Sequence, residues 1–187
     1  LARGVYTTAL VTGREVTLAG QVASALSTST LKLAAATDSL GSEYWAAFKN
    51  VIALACGVVD GLKQDGRGGD NLKAAVFTAG YREAVKVLPH VGADPETALS
   101  VAGIGDLFVT ATSPHGRNRE MGERLGKGQT LSEAEADMVM VSEGVRAARM
   151  FKKLLSVKGI EAPFVGAVCA LLDEGSSIDE FLDKVMG

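Results

Sequence analysis

The chain has 187 residues, 47% apolar and 22% charged, which is enough hydrophobic material for one globular domain and unlike the polar composition of a disordered chain. Nineteen Lys and Arg against 22 Asp and Glu give a formal charge of −3, so no overall positive field exists to hold nucleic acid or an anionic membrane. The two cysteines, Cys56 and Cys169, stand far apart in apolar stretches and fit buried thiols in a reducing compartment; with only two histidines, a Cys/His zinc site is not expected and no metal is assigned.

The first residues, Leu1-Ala2-Arg3-Gly4, carry no charged-then-apolar signal pattern, and a start at Leu rather than Met makes an upstream piece an expectation. Residues 5–12 are rich in β-branched and aromatic side chains and end at Gly13, which predicts a strand. Residues 15–26 place Val16, Leu18, Ala19, Val22, Ala23 and Leu26 near helical spacing, and residues 31–36 form a second apolar strand. This strand–helix–strand unit suits a parallel sheet, but two strands make a poor sheet alone. Its edge therefore pairs with something outside this sequence or packs on the helices that follow.

From residue 42 the pattern is helical. Trp45, Phe48, Ile52, Ala55, Val59 and Leu62 recur at three- and four-residue steps and predict a central buried helix. No window reaches about 18 uninterrupted apolar residues, so a cytoplasmic protein without membrane insertion is expected. Asp70 is the expected N-cap of a helix running to Leu88, with Leu72, Val76, Ala79 and Val85 inward. Asp94-Pro95-Glu96 has the form of a helix start. Ser132 with Glu135 and Ser177 with Glu180 have capping-box spacing, and Gly126, Gly159 and Gly175 mark helix ends. The bulk of the chain is expected to be a bundle of about six to eight helices, with the boundary to the first unit near residue 40.

Charge inside apolar helices costs several kcal/mol unless it is paired. Lys49, between Phe48 and Asn50, either snorkels to water or is a partly buried lysine suited to donate a proton to a carbonyl oxygen. Asp106 follows Gly103-Ile104-Gly105, where it caps a short helix or works with Thr110, one turn on, to hold a small polyol. Arg117 and Asn118 open another helix with a guanidinium fork, an amide and free backbone N–H groups, which suit a phosphate or carboxylate if the turn is more than solvated surface. The glycines around residues 61–69 follow no strand and lack the Lys-Ser/Thr ending of a P-loop, so they are read as a loop. His90 and His115 lack a nucleophile partner that the sequence can point to, and Glu143 is read as an acid at a helix start and nothing more.

The ordered run Lys49-Asn50-Val51-Ile52-Ala53, Asp60-Gly61-Leu62, Gly69-Asp70-Asn71-Leu72-Lys73, Gly103-Ile104-Gly105-Asp106-Leu107, Gly116-Arg117-Asn118-Arg119 and Ser142-Glu143-Gly144-Val145-Arg146 resembles the NAD(P)-dependent glycerol-3-phosphate dehydrogenases. The resemblance covers residues 41–175 and implies a mainly α fold. That fold is a multi-helix bundle like the C-terminal domain of 6-phosphogluconate dehydrogenase, preceded by a β-α-β remnant of a Rossmann sheet. Residues 1–40 would be the end of a dinucleotide-binding domain and residues 41–187 the substrate domain.

The resemblance implies that Lys49 and Asp106 are catalytic, with Lys49 the acid/base on the C2 oxygen. Lys49, Asn50, Asp106, Thr110, Arg117 and Asn118 would bind the phosphorylated substrate, and Arg117, Val141 and Glu143 would meet NAD or NADP. Three departures from the family pattern are visible. Gly116 stands where many bacterial members have Ser, and Tyr44-Trp45-Ala46-Ala47-Phe48 brings bulk to the approach to the lysine, with a reshaped pocket expected. No Gly-x-Gly-x-x-Gly follows a first strand, so this chain alone is expected to be inactive and to bind NAD poorly. The rival reading is a non-catalytic phosphate-binding or dimerising module, and a homodimer stays an open option under either reading.

Overall fold

The computed structural model of the protein describes residues 4–114, 116–138 and 142–187. Strands β1 (Thr7–Thr12) and β2 (Leu31–Ala36) pair in parallel, Thr7 opposite Leu31 through Thr12 opposite Ala36, and helix α1 (Val16–Leu26) makes the crossover. The expected β-α-β unit is therefore present. Only Ala19 and Ala23 of α1 are buried, whereas Val16, Leu18, Val22 and Leu26 face solvent. The apolar spacing is helical, but the sheet is too narrow to cover more than the alanine stripe.

Helix α2 (Ser39–Gly61) is the axis of the bundle. Asp38 caps it by accepting from Gly41 N, and reaches on to Asp94 N and Thr97 Oγ1, which ties the helix start to the segment after residue 93. Trp45, Phe48, Ile52, Ala55, Val59 and Leu62 are all buried, as their spacing predicts. The helix is long and apolar enough to cross a membrane by length and composition, but 78% of its apolar window is buried, so that apolarity is used in the core of the bundle.

Around α2 stand α3 (Asp70–Val87), α4 (Asp106–Thr112), α5 (Arg117–Gly126), α6 (Leu131–Ala136), α7 (Glu143–Val157), α8 (Pro163–Asp173) and α9 (Ile178–Met186). Helix α5 runs against α2 through four glycines, two on each helix at the i, i+4 spacing of one face. A Cβ on Gly57 or Gly61 would stand 2.0 Å from Arg119 O or 2.3 Å from Glu123 O, and one on Gly122 or Gly126 would stand 1.9 Å from Leu54 O or 2.2 Å from Val58 O. The two backbones touch, and only hydrogen fits between them.

Several terminal signals differ in detail from the sequence reading. Gly69 is the N-cap of α3, while Asp70 is its first helical residue and pairs with Lys63, and Val85 faces solvent rather than the core. Asp94 does cap, accepting from Glu96 N, but the segment it opens is a short 3-10 turn, Pro95–Leu99. The capping box of α6 is Thr130 with Glu133, two residues before the predicted pair, whereas Ser177 and Glu180 cap α9 as expected. Gly159 and Gly175, at φ of 67° and 69°, take the left-handed turns that follow α7 and α8. Cys56 and Cys169 are buried free thiols; burial pushes the Cys56 thiol up to about 12, which keeps it protonated.

Pro163 at the start of α8 is joined by a cap from another helix: buried Glu83 of α3 accepts from Phe164 N at 2.6 Å and Val165 N at 2.9 Å. Burial holds the Glu83 carboxyl above the ordinary glutamate range despite these two N–H donors. The native state therefore binds this proton more tightly than the unfolded chain does. Its contribution is largest below the ordinary glutamate range and is lost as pH rises through the raised native value. Urea denaturation between about pH 4 and pH 8 should show wild-type stability falling with pH relative to Glu83→Gln, and parallel profiles would show that the carboxyl titrates normally.

Candidate active site

Lys49 projects from α2 beside Phe48 and Asn50, and its side chain is 18% exposed. It is not a snorkelling lysine, because its ammonium pairs with the carboxylate of Asp106, the first residue of α4. The N-terminal end of a helix favours that carboxylate. Asp106 is aimed by the segment before it: in Val101–Gly105 the main chain breaks at Gly103, where a Cβ would stand 2.3 Å from both Ala98 O and Thr97 O. Thr110 lies one turn on, as expected, and donates to the Asp106 main-chain carbonyl at 2.7 Å, with the Asp106 Oδ1 at 3.5 Å. That commits the hydroxyl proton to the backbone and leaves the Thr110 oxygen as an acceptor.

The residue after Lys49 meets the start of α5. Asn118 Nδ2 donates to Asn50 Oδ1 at 2.8 Å, and Asn118 Oδ1 accepts from Ser142 Oγ and Gly144 N, both at 2.8 Å. Asn50 Nδ2 in turn donates to Ala46 O at 3.1 Å and to Glu143 Oε2 at 3.4 Å. Groups with a single role sit at both ends of this chain, since an N–H can only donate and a main-chain carbonyl can only accept. They fix the orientation of both amides. Asn50, Asn118 and Glu143 are thus brought together, and each Asn has a framework role besides any contact with a ligand. Arg117 is exposed at the first turn of α5. Val141 lies outside the described residues, as does His115. His90 is an exposed residue whose Nδ1 lies 2.9 Å from Lys86 O, away from this cluster.

A cavity of about 740 Å³ runs between β1 and the segment leading into α4, with Asp106, Val101, Val109 and Ser42 on its wall. Lys49, Asn50, Arg117 and Asn118 are not part of that wall. Asp106 is therefore the residue shared by the cavity and the polar cluster. Ser42, two helical turns before Lys49 on α2, turns a buried hydroxyl with no partner among the described residues. No sequence signal marked it. The bulk at Tyr44–Phe48 does not fill the cavity: Trp45 and Phe48 turn into the core, and Tyr44 packs its ring 6.1 Å from that of Phe151.

Sequence reasoning missed a second charged cluster. Asp60, on α2 three turns beyond Lys49, takes Lys73 Nζ at 2.7 Å, Arg119 at 2.9 Å and Lys63 at 3.2 Å, with its own side chain only 9% exposed. Burial pushes its carboxyl up, but the hydrogen bonds and charges of Lys73, Arg119 and Lys63 outweigh that and hold it below the ordinary aspartate range. The signal that identified Lys49, a charge in an apolar helix, applies equally to Asp60.

With this geometry in place, the relationships of the chain are clear. A family model described as "NAD-dependent glycerol-3-phosphate dehydrogenase C-terminus" matches residues 38–183, and the chain belongs to that family. It is similar to glycerol-3-phosphate dehydrogenase [NAD(P)+] of Macrococcus caseolyticus, with 45% identity over 80% of this chain and 44% of the relative. It is similar also to the protein of that name from Pelodictyon phaeoclathratiforme, with 34% identity over 100% of this chain and 55% of the relative. Among solved structures, glycerol-3-phosphate dehydrogenase from Coxiella burnetii superposes with a TM-score of 0.89 at 27% identity, covering 99% of this chain and 56% of that one. The chain thus spans about half the length of the curated relatives it matches.

Proposed function

We propose that this chain is the substrate half of an NAD(P)-dependent glycerol-3-phosphate dehydrogenase, which interconverts sn-glycerol 3-phosphate and dihydroxyacetone phosphate. Residues 1–40 are read as the last strand–helix–strand unit of the dinucleotide-binding domain and residues 41–187 as the helical substrate domain. The observation that carries the reading is the 2.8 Å bond from Asn118 to Asn50. It ties the residue beside Arg117 to the residue beside Lys49, and so supports reading the start of α5 as an anion site beside a carboxylate-paired ammonium.

The residues present fit only one end of a dinucleotide. Glu143, exposed at the start of α7 and bonded to Asn50, is an acceptor of the kind a carboxamide N–H requires, and Arg117 and Val141 are assigned beside it by family resemblance. No Gly-x-Gly-x-x-Gly turn for the pyrophosphate occurs in the sequence, so this chain alone is proposed to be inactive. When bound, the nicotinamide supplies the hydride.

Lys49 donates a hydrogen bond to the C2 oxygen of the ketone and hands over its proton as negative charge develops there. In the reverse direction it takes that proton back. Asp106 aims the ammonium, and with Thr110 it accepts from the substrate hydroxyl. Arg117 and the first N–H groups of α5 hold the phosphate. Asn118 carries a second amide N–H beyond the one given to Asn50, and offers it to the same substrate.

The test is NADH oxidation with dihydroxyacetone phosphate by the full-length protein carrying this chain; no turnover would end the reading. Arg117→Ala should weaken the phosphorylated substrate roughly 10- to 100-fold, the loss of charge-assisted hydrogen bonds, while leaving unphosphorylated dihydroxyacetone unaffected. An equal KM for dihydroxyacetone phosphate in the variant and the wild type would remove Arg117 from the phosphate site.

A further inference from the structure

Arg119 stands two residues after Arg117 on α5, and its guanidinium makes four hydrogen bonds among the described residues. Its Nε donates to Ser113 O at 3.0 Å and one terminal nitrogen to Pro114 O at 3.0 Å. The other reaches Asp60 at 2.9 Å and Glu123 at 3.1 Å. The side chain is 15% exposed. Ser113 and Pro114 directly follow α4, so one planar guanidinium holds these two residues of the connection that leads to the proposed phosphate end of α5. Asp60 is itself held by Lys73 of α3 at 2.7 Å, so the fork is anchored on two helices. The main chain of Arg119 also lies against α2 at Gly57, where a Cβ would stand 2.0 Å from its carbonyl.

We propose that Arg119, held by Asp60, is a positioning residue that sets the start of α5 and thereby the reach of Arg117 toward the substrate phosphate. This rests on the phosphate assignment made above. The geometry requires the fork shape as well as the charge. A lysine at this position keeps the attraction to Asp60 but cannot also satisfy two carbonyls in separate directions. The loop then loses its fixed register while the ion pair, and with it most of the packing, survives. The consequence falls on the phosphate end of the substrate and not on the carbon that reacts.

The experiment uses the full-length protein with dihydroxyacetone phosphate and, separately, unphosphorylated dihydroxyacetone. Arg119→Lys should raise KM for the phosphorylated substrate about tenfold or more, since small misplacements of a binding group carry costs of that size, with kcat changed less and kcat/KM for dihydroxyacetone unmoved. Combining it with Arg117→Ala should add nothing to Arg117→Ala alone, because the two act through one contact. Melting curves of the lysine variant establish that it is folded, and Asp60→Asn, which loosens the same fork, should show the same selectivity in milder form.

A wild-type KM in Arg119→Lys overturns the proposal. So does a fully additive double variant, or an equal loss with both substrates, either of which marks a merely structural arginine. A phosphate-selective loss at Arg117→Ala together with any of these leaves the site reading standing and removes only Arg119. No loss at Arg117→Ala removes the phosphate assignment, and this proposal with it.

Discussion

Lys49→Ala in the full-length protein is expected to cut kcat by about 10²–10⁴-fold, the usual contribution of a positioned proton donor, while the variant melts close to wild type. The two halves of this expectation have separate grounds. The Lys49 side chain is 18% exposed and that of Asp106 39%, so the pair is partly solvated. Ion pairs of that kind are worth at most about 1 kcal/mol to stability. The surrounding helix owes its place to Phe48, Ile52 and Val51, all buried, and not to Lys49. For the reaction the same group has no substitute among the described residues of the cluster: Asp106 and Glu143 are acceptors, and the proton of Thr110 is taken by a main-chain carbonyl at 2.7 Å. Lys49→Met, which keeps the stem and removes the charge, should fail equally, measured by NADH oxidation beside circular dichroism. Turnover within a few-fold of wild type in either variant would show that another group moves the proton.

The parts of this molecule that were legible in its sequence are those where a local rule has one solution. Strand β2 falls on residues 31–36 as predicted because Leu31–Ala36 is bounded on both sides by polar turn residues. Helix α2 follows from a repeat that only a fully buried helix satisfies. Where two solutions share one pattern, the reading slipped. Thr130 with Glu133 and Ser132 with Glu135 have the same spacing, and the choice is made by the left-handed turn at Gly128, φ 90°, which starts the helix two residues earlier. Val85 is apolar, but nine residues beyond Val76 it falls about 180° round α3 from the inward stripe and faces solvent. The pair Lys49–Asp106, proposed as catalytic, was approachable because each residue is locally odd. The Asp60–Arg119 link was not: Asp60, a charge in an apolar helix, is as odd locally as Lys49, but its partner stands 59 residues away and only the packing of α5 on α2 brings the two together.

That packing is the most sensitive feature of the fold, and Gly122→Ala is the sharpest probe of it. The added Cβ would stand 1.9 Å from Leu54 O and 2.9 Å from Val58 N, both main-chain atoms of α2. A clash with a flexible side chain is relieved by a rotamer change, but here the helix axes must separate. Overpacking a core typically costs about 1–3 kcal/mol, and a main-chain clash belongs at the upper end or beyond. At about 3 kcal/mol the melting temperature should fall by roughly 6–12 °C for a domain of this size. Gly166→Ala in α8 has nothing within 4 Å of the new methyl and should instead stabilise by about 0.5–1 kcal/mol, through helix propensity alone. Opposite signs for one chemical change at two helical glycines separate contact from propensity. The functional side follows from the same displacement: α2 carries Lys49 and α5 carries Arg117, so moving one helix off the other lengthens the span between the proposed proton donor and the proposed phosphate clamp. Gly122→Ala should therefore raise KM for dihydroxyacetone phosphate even well below its melting point. A variant that melts early but keeps the wild-type KM would show that the seam holds the fold without setting the site.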